Sequence, residues 1–122
     1  MLDLKGVDAG YGAFQALFGI SMRVNAGEAV AVIGANGAGK TTLMRVISGM
    51  LPASSGTMTM EGADLRTTPP HKVVELGIAH VPESRRLFPR LSVEDNLRLG
   101  AYIPSARAHF AERLDYVYGL FP

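Results

Sequence analysis

Residues 29–42 restrict the possible folds of this chain more than any other stretch. They begin as an apolar, β-branched run, Ala29-Val30-Ala31-Val32-Ile33, and break into Gly34-Ala35-Asn36-Gly37-Ala38-Gly39. Lys40-Thr41-Thr42 then leads into residues that favour helix. That order predicts a buried strand, a glycine-rich turn and a helix, a succession that belongs to α/β folds.

Gly34, Gly37 and Gly39 permit backbone angles and close approaches that a Cβ would forbid, so successive N–H groups, those of Ala35, Asn36 and Ala38 included, can converge on one anion. A helix starting near Lys40 adds the partial positive charge of its N-terminus and N–H groups that lack intrahelical partners. The spacing from Gly34 to Gly39-Lys40-Thr41 is the complete Gly-x-x-x-x-Gly-Lys-Thr pattern of a Walker A loop. In that pattern the lysine reaches the β- and γ-phosphates of a nucleoside triphosphate, Thr41 offers its hydroxyl to Mg²⁺, and Thr42 adds a hydrogen bond to phosphate.

Composition narrows the class. With 122 residues, 48% hydrophobic and 19% charged, the chain can bury one small core, and disorder is excluded. A net charge of +1 gives no field to attract nucleic acid. The absence of cysteine removes disulfides and thiolate metal sites, and His71, His80 and His109 lack metal-ligand spacing. No apolar run approaches the ~20 residues of a membrane span, and Asp3 and Lys5 stand where a secretory signal would be apolar. The expected location is the cytoplasm.

Along the chain, residues 2–9 alternate as a half-buried strand does, and Gly10-Tyr11-Gly12 turns the backbone. Residues 18–24 alternate again, with Phe18, Ile20, Met22 and Val24 expected on one face. The helix from Lys40 buries Leu43, Val46 and Ile47 and stops near Gly49. Residues 57–60 form a short strand closed by Glu61-Gly62, returning onto the early strands. Thr68-Pro69-Pro70 reads as a helix start capped by Thr68, with Gly77 ending the helix. Residues 78–81 read as a second buried strand. Ser92-Val93-Glu94-Asp95 resembles a capping box opening a helix to about Ala101, and a further helix from Pro104 carries Phe110, Leu114 and Val117 as its apolar stripe.

Taken alone, Tyr11 is either a turn tyrosine packed on the sheet or an aromatic free to stack on a ligand. Glu83 is either an exposed acid after a proline or a carboxylate at a strand end able to reach a cation. Arg85, Arg86 and Arg90 form a basic cluster that fits a solvated face or a docking rim.

With Tyr11-Gly12-Ala13-Phe14-Gln15-Ala16-Leu17, the loop from Gly34 to Thr42, and Val81-Pro82-Glu83-Ser84-Arg85-Arg86-Leu87-Phe88-Pro89-Arg90-Leu91-Ser92-Val93-Glu94-Asp95-Asn96-Leu97 placed, the chain resembles the ATP-binding subunit of ABC transporters, most closely the branched-chain amino-acid importer type. The resemblance runs from Leu2 to Pro122. It implies an α/β fold: a partial P-loop ATPase core (about residues 29–56 and 67–90), an antiparallel β subdomain (about 1–28 and 57–66) and the start of a helical subdomain (about 91–122).

The same resemblance implies that Tyr11 stacks on adenine and that residues 34–42 hold the phosphates of ATP. Lys40 and Glu83 would be catalytic, and Thr41 and Glu83 would serve Mg²⁺. Glu83 holds the position of the family's Q-loop glutamine, as in amino-acid importers of this branch, and Ser84 departs from the glycine usual next. The implied partners are transmembrane permease subunits, whose coupling helices the arginine cluster would face, and a second ATP-binding subunit in a head-to-tail dimer. Nucleic acid is not among them, and the implied place is the inner face of the cell membrane.

The family's signature Leu-Ser-Gly-Gly-Gln, its switch histidine and an apolar strand ending in Asp-Glu have no counterpart in these 122 residues. The chain therefore reads as the N-terminal part of a longer subunit, which by itself binds nucleotide at most weakly, does not turn it over and self-associates through an open apolar edge. A soluble ABC-type ATPase, or a non-hydrolysing nucleotide-binding module without a permease, is the alternative. A small-molecule kinase or GTPase would need a base-specificity motif or lid arginines, which are absent.

Overall fold

The computed structural model describes residues 1–122, which form two compact units, Met1–His80 and Val81–Pro122. The first unit is built on a four-stranded antiparallel sheet in the order β2-β1-β3-β4. Its strands are β1 (Leu2–Tyr11), β2 (Phe14–Val24), β3 (Ser55–Met60) and β4 (Ala63–Asp64). Helix α1 (Lys40–Ile47) covers one face.

The core of this unit shows how the sheet reads its sequence. Leu4, Val7 and Ala9 of β1 are buried, so the inward parity slips by one residue between Leu4 and Val7. Gly6 takes up the slip with φ +58°, and the ladder to β2 shifts register at the same point. This is a β-bulge, and it keeps Asp8 from facing the core. A second bulge on β2 restores the register: Val7 pairs with Ile20 but Ala9 with Leu17, with Gly19 at φ +59° between them. Phe18 is consequently 68% exposed, which corrects its expected place beside Ile20, Met22 and Val24. Leu43, Val46 and Ile47 of α1 close over these strands together with Met58 and Leu65, as the helical spacing predicts.

Asp8 clips three strands together. Its carboxylate accepts from the Gly19 N–H on β2 (2.6 Å) and from the Ser55 hydroxyl on β3 (2.6 Å), and its carbonyl accepts from the Ser54 N–H (2.8 Å).

Residues 29–33 do not form the expected strand. They belong to no ladder, and Val30, Val32 and Ile33 are exposed by 46%, 38% and 90%. Residues 78–81 likewise remain unpaired, although Ile78 packs on the core. A strand exists only through a neighbour's hydrogen bonds, and neither segment joins the ladder β2-β1-β3-β4. Thr68 is not a cap: its hydroxyl donates to the Asp64 carbonyl (2.7 Å), and residues Pro70–Leu76 wind as a 3₁₀ helix ending at Gly77 with φ +89°.

The second unit holds α2 (Val93–Gly100), α3 (Pro104–Arg107) and α4 (Phe110–Leu120). Ser92 caps α2 by accepting from the Asp95 N–H (3.1 Å) while donating to the Asp95 carboxylate (2.7 Å). The helix expected from Pro104 is split in two at Ala108 and His109, and Phe110, Leu114 and Val117 line an apolar groove with Leu97. No helix is long and apolar enough to cross a membrane.

Candidate functional site

The glycine-rich loop joins the unpaired segment 29–33 to α1. A turn closes it where the Ala38 N–H donates to the Ala35 carbonyl (3.1 Å), and the helix begins where the Leu43 N–H donates to the Gly39 carbonyl (2.8 Å). Gly37 and Gly39 both have positive φ, +84° and +100°. Gly39 is also held by space, because a Cβ there would stand 2.9 Å from the Ala16 carbonyl oxygen of β2 and 3.0 Å from Leu17 Cδ2. Gly34 differs from them, with no positive φ and with Ala38 Cβ 3.4 Å from where its own Cβ would lie.

No side chain caps α1 at Gly39, so its first N–H groups face outward without a protein acceptor. The Lys40 ammonium folds back over the loop and donates to the carbonyls of Gly34 (2.5 Å) and Ala35 (2.7 Å). Thr41 is exposed and its hydroxyl makes no hydrogen bond. An uncapped helix start, a lysine at its first position and a free hydroxyl beside it together offer positive charge and donors to a polyphosphate.

Thr42 is buried to 7% exposure and its Oγ1 lies 3.3 Å from the Tyr11 hydroxyl. Arg45, one turn further along α1, donates to the same hydroxyl from Nη1 (3.1 Å). Hydrogen bonding to Thr42 and Arg45 holds the Tyr11 phenol below its ordinary pKa, against an opposing effect of burial. The ring itself is 42% exposed at the end of the β1–β2 hairpin. Tyr11, Lys40, Thr41, Thr42 and the glycines thus lie in one unit, with Tyr11 and Thr42 in contact.

Glu83 belongs to the unit Val81–Pro122, where it is exposed and makes no hydrogen bond or ion pair. Ser84 and Arg85 follow it in left-handed backbone, φ +65° and +44°, a conformation unusual for residues with a Cβ. Arg85, Arg86 and Arg90 are all exposed.

Nowhere do three or more histidine or acidic side chains gather as a metal cage. The donors present suit a cation that arrives with a nucleotide, takes phosphate and water oxygens for most of its shell, and needs few protein oxygens. Thr41 offers one such oxygen. Sequence reasoning did not find Arg45; the signal available was its i+3 spacing from Thr42, which puts both side chains on one helix face.

A family model described as ABC transporter matches residues 17–119. The chain is 42% identical over all its 122 residues to the "High-affinity branched-chain amino acid transport ATP-binding protein BraG" of Pseudomonas aeruginosa, covering 52% of that protein. It is 34% identical over its whole length to the "Probable branched-chain amino acid transport ATP-binding protein LivF" of Archaeoglobus fulgidus, covering 51% of it. Among solved structures, an ATP-binding subunit of an ABC transporter superposes with a TM-score of 0.73 at 35% identity, over 83% of this chain and 41% of that one. The chain spans about half the length of the curated relatives it matches.

Proposed function

The chain belongs to the ABC transporter family, whose model covers most of it, and from that premise we propose that it binds ATP with Mg²⁺ as part of an importer's ATP-binding subunit. The complete subunit hydrolyses ATP to drive uptake of branched-chain or related amino acids. The transport reading is supported by the names of BraG and LivF, both matched over the whole chain. The observation that carries nucleotide binding is the uncapped start of α1, with Lys40 at its first position and Gly39 wedged against β2.

In this reading residues 34–42 cradle the phosphates through their backbone N–H groups, and Lys40 exchanges its two loop carbonyls for phosphate oxygens. Tyr11 lays its exposed ring on the adenine. Thr41 in one unit and Glu83 in the other are the residues that would serve Mg²⁺, and the ion would supply positive charge against the phosphates. The β subdomain comprises about residues 1–28 and 57–66, the P-loop core about 29–56 and 67–90, and the helical subdomain begins near 91. The subunit works with membrane-spanning permease subunits and a second copy of its kind, head to tail, on the inner face of the membrane.

The test is titration of the purified protein with a fluorescent ATP analogue and Mg²⁺, beside ATP turnover with and without permease. Saturable binding displaced by ATP, with turnover only in the complete assembled subunit, is expected. No nucleotide binding by the complete subunit would sink the reading, and Lys40-dependent turnover by these 122 residues alone would overturn its account of hydrolysis.

A further inference from the structure

The geometry points to Arg45, with Thr42, as a positioning residue that holds the Tyr11 ring by its hydroxyl to form the base-side wall of the nucleotide site. This deepens the nucleotide-binding reading above and rests on it.

Tyr11 is the last residue of β1 and pairs with Phe14 across a turn at the hairpin's end. An exposed aromatic in such a place ordinarily samples several rotamers, and a ring that must be frozen on binding stacks weakly. Here the ring is fixed at both ends. Its Cα is held in the ladder, and its hydroxyl is held by two side chains three residues apart on α1, at 3.3 Å from Thr42 and 3.1 Å from Arg45. Two fixed ends define the axis of the ring and leave only rotation about it, so its hydroxyl end stays against α1.

Neither the Thr42 nor the Arg45 side chain has a second hydrogen-bond partner in the structure. The Tyr11 bond is the one side-chain hydrogen bond that Arg45 makes, and no carboxylate pairs with it. Thr42 is buried and cannot turn its hydroxyl to water. Since a guanidinium only donates, it occupies a lone pair of the phenol and leaves the phenol proton free to point at Thr42 Oγ1. Thr42 stands two residues beyond Lys40, about 3 Å further along the helix axis, so the ring is anchored behind the phosphate-facing start of α1.

A residue that acts through the ring affects the base and not the phosphates. Mg²⁺-ATP and inorganic tripolyphosphate, each competed against a fluorescent ATP analogue on the purified protein, separate the two. Arg45→Ala is expected to weaken ATP about fivefold, the scale of one aromatic contact, and to leave tripolyphosphate unchanged. Tyr11→Phe, which keeps the ring but loses the tie, is expected to weaken ATP by a similar factor. The double variant is then no worse than Tyr11→Phe alone, because that substitution already removes the Arg45 bond together with the Thr42 one.

If the wild-type protein binds neither ligand, the nucleotide-binding reading fails and this one with it. If it binds both and Arg45→Ala keeps wild-type ATP affinity, the positioning role alone is overturned. Equal weakening of ATP and tripolyphosphate by Arg45→Ala would also overturn it, by assigning Arg45 to the phosphates or to the fold.

Discussion

Lys40 and Gly34 are bonded to each other across the phosphate loop, ammonium to carbonyl at 2.5 Å, with Ala35 accepting a second bond at 2.7 Å. The cation thus braces its own loop from inside. Lys40→Met keeps the stem and removes both bonds, so amides of residues 34–39 should exchange with solvent faster than in the wild type. ATP should slow that exchange in the wild type and leave the variant unchanged. Hydrogen-exchange mass spectrometry reads both effects, and unaltered loop exchange in Lys40→Met would refute the brace.

Gly39 and Gly37 should respond differently to a methyl group. At Gly39 a Cβ meets both a φ of +100° and the Ala16 carbonyl at 2.9 Å, whereas at Gly37 it meets a φ of +84° and open space. Gly39→Ala is expected to cost about 2–3 kcal/mol and Gly37→Ala about 1 kcal/mol, since left-handed strain alone is of that order. Urea unfolding compares them; equal midpoints would show that the loop does not press on β2.

The Asp8 clip makes the sheet acid-sensitive. The Ser55 hydroxyl, and after it the Gly19 N–H, hold the Asp8 carboxyl below its ordinary 3.8, with burial opposing. A folded pKa lower than the unfolded one gives stability that is present above the unfolded value and lost as pH falls through the folded one. Asp8→Asn should therefore flatten the decline of Tm below about pH 4. Parallel acid profiles for variant and wild type would remove Asp8 from the account.

Ser84 lies in left-handed backbone at φ +65°, where a Cβ is costly. Ser84→Gly relieves about 1 kcal/mol or more of strain and concedes somewhat less in unfolded-chain entropy, for a net gain of about 0.5 kcal/mol. The urea midpoint of Ser84→Gly should rise slightly; a fall would mean that the Ser84 side chain contributes more than its strain removes.

An apolar trough runs along Val30, Val32 and Ile33 towards Gly39, and no strand pairs with this segment. Exposed side chains and unpaired backbone together invite association between chains. Light scattering of the chain should show mass rising with concentration, and Val30→Lys with Ile33→Lys should suppress it. A monomer at every concentration would contradict the expectation.

Local chemistry was legible where it depended on neighbours in sequence. The Ser92–Asp95 cap, the buried stripe Leu43, Val46 and Ile47, and the loop glycines at 37 and 39 are all decided within a few residues. The family was legible for the same reason, since its loop motifs are contiguous. What failed depended on distant partners. Residues 29–33 have the composition of a buried strand, but composition cannot supply a neighbouring ladder. Phe18 followed the alternation until Gly19 shifted the phase. The tie from Arg45 to Tyr11 joins residues 34 apart and is visible only once the hairpin meets the helix.

The glycine bulges at positions 6 and 19 offset one another: one adds a residue to β1, the other adds one to β2, and Ala9 again stands opposite Leu17. Each bulge absorbs its own odd residue. Deleting Gly6 would leave Leu4, Val7 and Ala9 in plain alternation on the inward face, and deleting Gly19 would bring Leu17 into phase with Ile20 and Met22, so either strand can lose its bulge without turning a side chain over. Across a set of homologues, gaps at these two places should appear independently of one another.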